Sequence, residues 1–240
     1  MNNETTNTPV SQSNEMVRGS LAGAVAGDYD FTIGGVIQEA WARTSGLKGP
    51  FWGGALLLFV GLAAVSFMLG LVLGGGHMSE GGAMLVPMLS QLLVMIVLYP
   101  CMAGIFMMGV RRSVGQPISF QMLFGYFPYL VPLVIAGILM TILMMLGFVL
   151  LIIPGIYLAV AYGFTIPLIV EKNLGAWEAM ETSRKAVTRH WFKIFFLYLV
   201  MTLIFIISAI PLGLGIIWTY PMFVAMIGVM YREMFGVTAE

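Results

Sequence analysis

The sequence predicts an all-α fold, a polytopic membrane helix bundle with six transmembrane helices arranged in three hairpins. The 240-residue chain is 60% hydrophobic and only 9% charged, with a mean hydropathy of +0.96. A soluble domain carries roughly 25% charged residues, so this chain lacks the charge to cover a water-facing surface. Its apolar stretches are also long enough to cross a bilayer, which takes about 20 helical residues.

The distribution of polar residues predicts three regions. Residues 1–27 are rich in Asn, Thr and Ser and lack an apolar signal-peptide core, so we expect a disordered polar tail. Residues 28–235 form the predicted membrane domain, and residues 236–240 a short carboxyl-terminal tail. The predicted spans are residues 51–73, 85–110, 130–152, 155–170, 194–210 and 215–231.

Turn motifs separate the two spans of each hairpin. The glycine-rich GGGHMSEGG interrupts the chain after residue 73. Pro154-Gly155 and the Pro-Leu-Gly-Leu-Gly of residues 211–215 interrupt the two later apolar stretches. Proline removes a helical hydrogen bond and glycine tolerates turn dihedrals, so each motif predicts the tip of a hairpin.

The charges support an even number of spans. Residues 113–170 and 194–231 carry no formal charge, while residues 171–193 between them are densely charged. With six spans, all 11 basic residues fall on one side of the membrane. Because basic residues are enriched in cytoplasmic loops, we expect that side, and with it both termini, to be cytoplasmic.

We expect a short interfacial amphipathic helix before each hairpin, around residues 33–43, 118–127 and 174–191. In the third, the apolar side chains share one face at helical spacing and the charged ones share the opposite face. Glu181 and Lys185 are spaced for a favourable i,i+4 pair. The apolar face would contact either lipid or the base of the bundle.

The segment IIPGIYLAVAYGFTIPLIVEKNLGAWEAMETSRKAVTRHWFK, residues 152–193, resembles a signature of related bacterial inner membrane families. These include the YciC-like proteins and the membrane domain found beside glycerophosphodiester phosphodiesterases. DYDFTIGGVIQEAW at residues 28–41 is similar to the amphipathic helix that usually begins these domains. The resemblance implies a multi-pass helical bundle in the bacterial inner membrane, and it supplies no catalytic residues.

The candidate contacts with lipid or the membrane interface are cations and aromatic residues of the third amphipathic helix: Arg184, Lys185, Arg189, Trp177 and Trp191. Arg184 projects to the edge of the apolar face. Two interpretations stay open there: its guanidinium snorkels to phosphate level, or it binds a headgroup or caps a cavity between hairpins.

Within the predicted spans, Gln91 is the costliest polar side chain to bury and is a candidate intramembrane polar site. The candidate kinks are Pro100, Pro167 and Pro221. The methionines, 20 in number, favour adaptable apolar packing over a Cu(I) site, because no paired cysteines accompany them. No cofactor or metal site is predicted.

No nucleophile, base and orienting residue can be assembled within the spans, so we do not expect an enzyme. The sequence favours a non-catalytic inner membrane protein that acts in membrane or envelope organisation through lipid or partner-protein contacts. The alternative is a small uncoupled permease or channel. The expected partners are anionic lipid headgroups and either a second copy of the chain or another membrane protein. Nucleic acid is not expected at a net charge of +0.

Overall fold

The computed structural model describes residues 19–74 and 80–237, which form nine α-helices. The predicted turn at residues 75–79 and most of the predicted amino-terminal tail lie outside this part of the chain, as do residues 238–240. The helices are α1 Leu21–Ala26, α2 Ile33–Gly74, α3 Glu80–Ser113, α4 Leu130–Leu150, α5 Ile152–Ala161, α6 Thr165–Glu171, α7 Ala176–Arg189, α8 Trp191–Ala209 and α9 Ile216–Phe235.

Four helical stretches of the described chain are long and apolar enough to cross a membrane. They are Ile33–Met68, Phe120–Leu150, Ile152–Glu171 and Trp191–Ala209. The finding confirms the prediction of a helical chain suited to a bilayer. The arrangement of six transmembrane helices in three hairpins remains a prediction.

The first amphipathic segment is not a separate helix, contrary to the sequence prediction. It is the first part of α2, which continues through Pro50 for 42 residues. Leu47 and Phe51, on either side of this proline, are both buried. Their packing holds the helix together where proline removes one backbone hydrogen bond.

The other amphipathic segments differ from each other. Before α4, the chain forms two short 3-10 helices, Phe120–Phe124 and Phe127–Tyr129. Before α8, α7 is the separate amphipathic helix that the sequence predicts. Residues 21–26, assigned by sequence to the polar tail, form α1, which Ser20 caps by accepting a hydrogen bond from the Gly23 amide at 3.0 Å.

The predicted fourth span, residues 155–170, is interrupted. α5 ends at Ala161 and α6 begins at Thr165. The turn between α4 and α5 is at the extended Leu151 rather than at Pro154-Gly155. Proline is tolerated in the first turn of a helix. Gly147 of α4 lies so close to the α5 backbone that a methyl group there would meet the nitrogen and Cα of Gly155 at 3.0 and 3.1 Å. The turn predicted at residues 211–215 is confirmed between α8 and α9.

Helix α9 is the centre of the buried core. It packs against α2 and α3, and at Gly228 its backbone lies directly against that of Gly109 on α3. Along α2 it runs antiparallel: Arg232 binds Glu39 near one end, and Trp52 Nε1 donates to the Ile217 carbonyl at the other, at 3.0 Å. The remainder of α2 therefore continues past the first turn of α9.

Candidate functional site

A recess of about 570 Å³ lies where α7 ends and α8 begins. The chain changes direction there at His190, which has non-helical dihedrals between the two helices. One wall comes from α5, and the other from the α7–α8 junction. The lining residues are Ile153, Tyr157, Thr188, Arg189, His190, Trp191, Phe192 and Lys193.

Hydrogen bonds fix the two walls of the recess against each other. The hydroxyls of Tyr157 and Thr188 lie 2.6 Å apart. Trp191 Nε1 donates to the Tyr157 carbonyl at 3.3 Å, and its ring stacks on Phe195 at a centroid distance of 5.0 Å. Helix α5 is therefore attached directly to the α7–α8 junction at Tyr157.

The basic side chains of the recess also attach the junction to the segment before α2. Arg189 Nε donates to the Val25 carbonyl at 3.1 Å, and the His190 ring lies 3.1 Å from the Gly27 carbonyl oxygen. The Lys193 ammonium pairs with Asp30, which lowers the pKa of that carboxyl through a hydrogen bond. Two cations and a histidine thus share one rim.

The other rim of the recess is apolar. Ile153 and Phe192 are both exposed, although they are large hydrophobic side chains. A site with cations and hydroxyls on one side and exposed apolar groups on the other has the chemistry of a phospholipid, in which an anionic headgroup adjoins acyl chains.

A second cavity, of about 360 Å³, lies between α3, α6 and the chain after α9. Tyr231 donates to a Glu171 carboxylate oxygen at 2.7 Å, and Lys172 pairs with the same carboxylate at 3.1 Å. The cavity is polar, and its charged groups already have partners. Its lining comprises Met107, Arg111, Gln116, Tyr126, Tyr129, Val170, Glu171 and Val237.

A buried ion-pair network joins α2, α3 and α9. Arg232 is 4% exposed, binds both carboxylate oxygens of Glu39 at 2.7 and 2.8 Å, and donates to the Ser113 carbonyl at 2.6 Å. Arg43 adds a contact of 3.2 Å to the same carboxylate. In the sequence, Arg232 is one of the basic residues that indicate the cytoplasmic side, and no local pattern pairs it with a residue as distant as Glu39.

The predicted contacts on α7 and α8 do not form one site. Arg184 binds Glu181 through two nitrogens, at 2.9 and 2.7 Å, and Lys185 lies 3.4 Å from the same carboxylate. Hydrogen bonding from Arg184 lowers the pKa of Glu181 to about 2. Arg184 is thus one member of an ion pair on the outer face of α7, whereas Arg189 and Trp191 line the recess.

The remaining candidate residues lie elsewhere. Trp177 is exposed on the first turn of α7, and Gln91 is exposed on α3. Pro100, Pro167 and Pro221 are buried. α3 continues through Pro100 and α9 through Pro221, while Pro167 lies in the first turn of α6. The sequence did not indicate Tyr157, Thr188 and Lys193 as recess residues. Tyr157 falls in the predicted fourth span, Thr188 in the third amphipathic helix, and Lys193 among the basic residues between the fourth and fifth spans.

The apolar face of α7 packs on protein. Ser183 donates to the Ala161 carbonyl at 2.7 Å and accepts from the Phe164 amide at 3.2 Å. Tyr29 donates to the Ala186 carbonyl at 2.9 Å. The sequence allowed the apolar face of α7 to contact either lipid or the base of the bundle. In the structure it contacts the base of the bundle.

The chain matches no protein-family model, no curated protein and no solved structure.

Proposed function

We propose that this protein is a non-catalytic integral membrane protein that acts in membrane organisation by holding an anionic phospholipid. The recess at the α7–α8 junction is the observation that supports this function. Its cations, Arg189 and Lys193, adjoin the exposed apolar side chains of Ile153 and Phe192. A headgroup phosphate would bind at the basic rim while an acyl chain lies along the apolar rim.

The location we propose is the bacterial inner membrane, with both termini cytoplasmic. The one-sided distribution of basic residues supports the orientation. The resemblance of residues 152–193 to bacterial inner membrane families supports the compartment. Because anionic lipids occur in the cytoplasmic leaflet, basic groups on that side have ligands within reach.

Native mass spectrometry of the protein released from lipid nanodiscs tests the proposal. We expect phosphatidylglycerol to be retained in preference to phosphatidylcholine. Arg189→Gln should lower that retention roughly five-fold, because a cation near the membrane surface contributes about 1 kcal/mol. Lys185→Gln is the matched control: it removes a cation of the same helix that pairs with Glu181 outside the recess, and retention should not change.

Equal retention of the two lipids, or an Arg189→Gln protein that retains phosphatidylglycerol fully, would contradict the proposal. A separate vesicle assay addresses the permease alternative. Protein-dependent release of small solutes from sealed vesicles would favour a pore over a lipid-organising role.

A further inference from the structure

The contacts of Tyr157 place the start of α5 on the same side of the molecule as the amino-terminal segment. Tyr157 touches Thr188 and Trp191. That junction is attached in turn to residues before α2, through His190 and Gly27 and through Lys193 and Asp30. In the six-span topology, Tyr157 would instead lie at the outer end of the fourth span, across the bilayer from these residues.

The α4–α5 turn is too close to this junction to reach the other side of a membrane. Five helical positions separate Ile152 from Tyr157, a rise of about 8 Å. The hydrocarbon core of a bilayer is about 30 Å thick. The turn therefore extends at most a fraction of that thickness beyond the charged junction.

The charges of α7 exclude an alternative in which α5, α6 and α7 are all immersed in the bilayer. α7 lies antiparallel to α5 and α6, with Thr188 beside Tyr157 and Ser183 beside Ala161 and Phe164. Its Glu181 and Lys185 are partly or fully exposed. If α5 and α6 crossed the membrane, these charges would lie in hydrocarbon beside them, which is strongly disfavoured.

The surface of the α4–α5 hairpin is nevertheless suited to lipid. Residues 149–153 at the turn are five consecutive apolar side chains, each 68–79% exposed. Exposed apolar residues continue along one face of α4 at helical spacing: Val131, Ile135, Ile138, Ile142 and Met145. The start of α4 is also at the basic end of α3, because Tyr129 lines a cavity with Arg111.

We propose that the α4–α5 hairpin enters the membrane from the cytoplasmic face, places residues 149–153 among the acyl chains and does not cross. The inference depends on the membrane location of the chain but not on lipid retention in the recess. A hairpin that does not cross removes the predicted third and fourth spans together, so both termini and all basic residues stay on one side of the membrane. It also places the apolar rim of the recess beside the acyl chains and the basic rim at the level of the headgroups.

Cysteine labelling of Tyr162 tests the proposal. Tyr162 is near the middle of the predicted fourth span, and in the structure it is partly exposed beside Glu181 and Arg184. In a Cys101→Ala background, we expect Tyr162→Cys to react with a membrane-impermeant thiol reagent in inverted vesicles and not in intact cells. Ala159→Cys, at an exposed position of α5, is the second variant if the first does not fold.

Lys185→Cys should label only in inverted vesicles, and Ser79→Cys, in the predicted outer turn, only in intact cells. Ile153→Cys should be protected from the reagent on both sides. A Tyr162→Cys protein that fails to react in inverted vesicles, or an Ile153→Cys protein that reacts in intact cells, would overturn the proposal. Lipid retention, measured separately, reports on the recess, so failure of one inference is distinguishable from failure of the other.

Discussion

Arg232 on α9 and Glu39 on α2 form a two-pronged ion pair in the base of the bundle, with Nη1–Oε1 and Nη2–Oε2 distances of 2.7 and 2.8 Å. Glu233 adds a second carboxylate at 2.6 Å. In bidentate pairing the planar guanidinium donates two parallel hydrogen bonds to one carboxylate, which fixes the geometry more firmly than a single hydrogen bond. The arrangement fixes the carboxyl-terminal end of α9 to the first turns of α2.

We expect Arg232→Gln to lower the stability of the folded protein by on the order of 3 kcal/mol, because it leaves the partly buried Glu39 carboxylate without its main partner and the buried Ser113 carbonyl without the Arg232 donor. Thermal unfolding of the detergent-solubilised protein measures the change. Arg43→Gln is the control: Arg43 binds the same carboxylate from a partly exposed position, so its loss should cost less than about 1 kcal/mol. Equal losses of stability in the two variants would contradict the conclusion that Arg232 is the main partner of Glu39.

The contact between Gly228 and Gly109 predicts a steric effect in the core. A methyl group at Gly228 would overlap the backbone of Gly109, and backbone cannot move aside as a flexible side chain can. Gly228→Ala should therefore destabilise the protein by about 1–3 kcal/mol. Gly61→Ala, on an open face of α2, should not destabilise it, because alanine favours helix over glycine. Parallel unfolding curves of the two variants test the difference.

The Glu181–Arg184 pair predicts a dependence of stability on pH. Because the folded pKa of Glu181 is lowered from 4.5 to about 2 by its hydrogen bond with Arg184, the pair stabilises the fold fully above pH 4.5. That stabilisation is lost as the pH falls from 4.5 through about 2. Glu181→Gln should reduce the loss of stability between pH 6 and pH 3. Glu178→Gln, at an exposed carboxylate of the same helix, should leave that loss unchanged.

The two faces of α7 should respond differently to aspartate. Met180 is 2% exposed and Val187 is fully buried, so a carboxylate at either position loses water without gaining a partner. Met180→Asp and Val187→Asp should each cost several kcal/mol and lower the folded yield in detergent. Thr182→Asp, at a partly exposed position, should change stability by no more than about 0.5 kcal/mol. Similar yields for all three variants would mean that α7 is not packed in the core.

The sequence by itself determined the properties that depend on composition and local periodicity. A chain with this little charge cannot form a soluble surface. Helical spacing places Met180 and Val187 on one face of α7 and Lys185 on the opposite face, and the first two are buried while Lys185 is exposed. The tip between α8 and α9 was also predictable, because proline and glycine act on the backbone where they occur.

Only the tertiary structure decided which surfaces meet. Periodicity shows that α7 has an apolar face, but lipid and protein are equally apolar partners for it. An uncharged stretch is as suitable for a hairpin that enters the membrane as for one that crosses it, so composition does not distinguish the two arrangements for α4 and α5. The contact of Tyr157 with Thr188 and the pairing of Arg232 with Glu39 join residues distant in sequence. No local pattern encodes such contacts, because they depend on how the helices pack around the core.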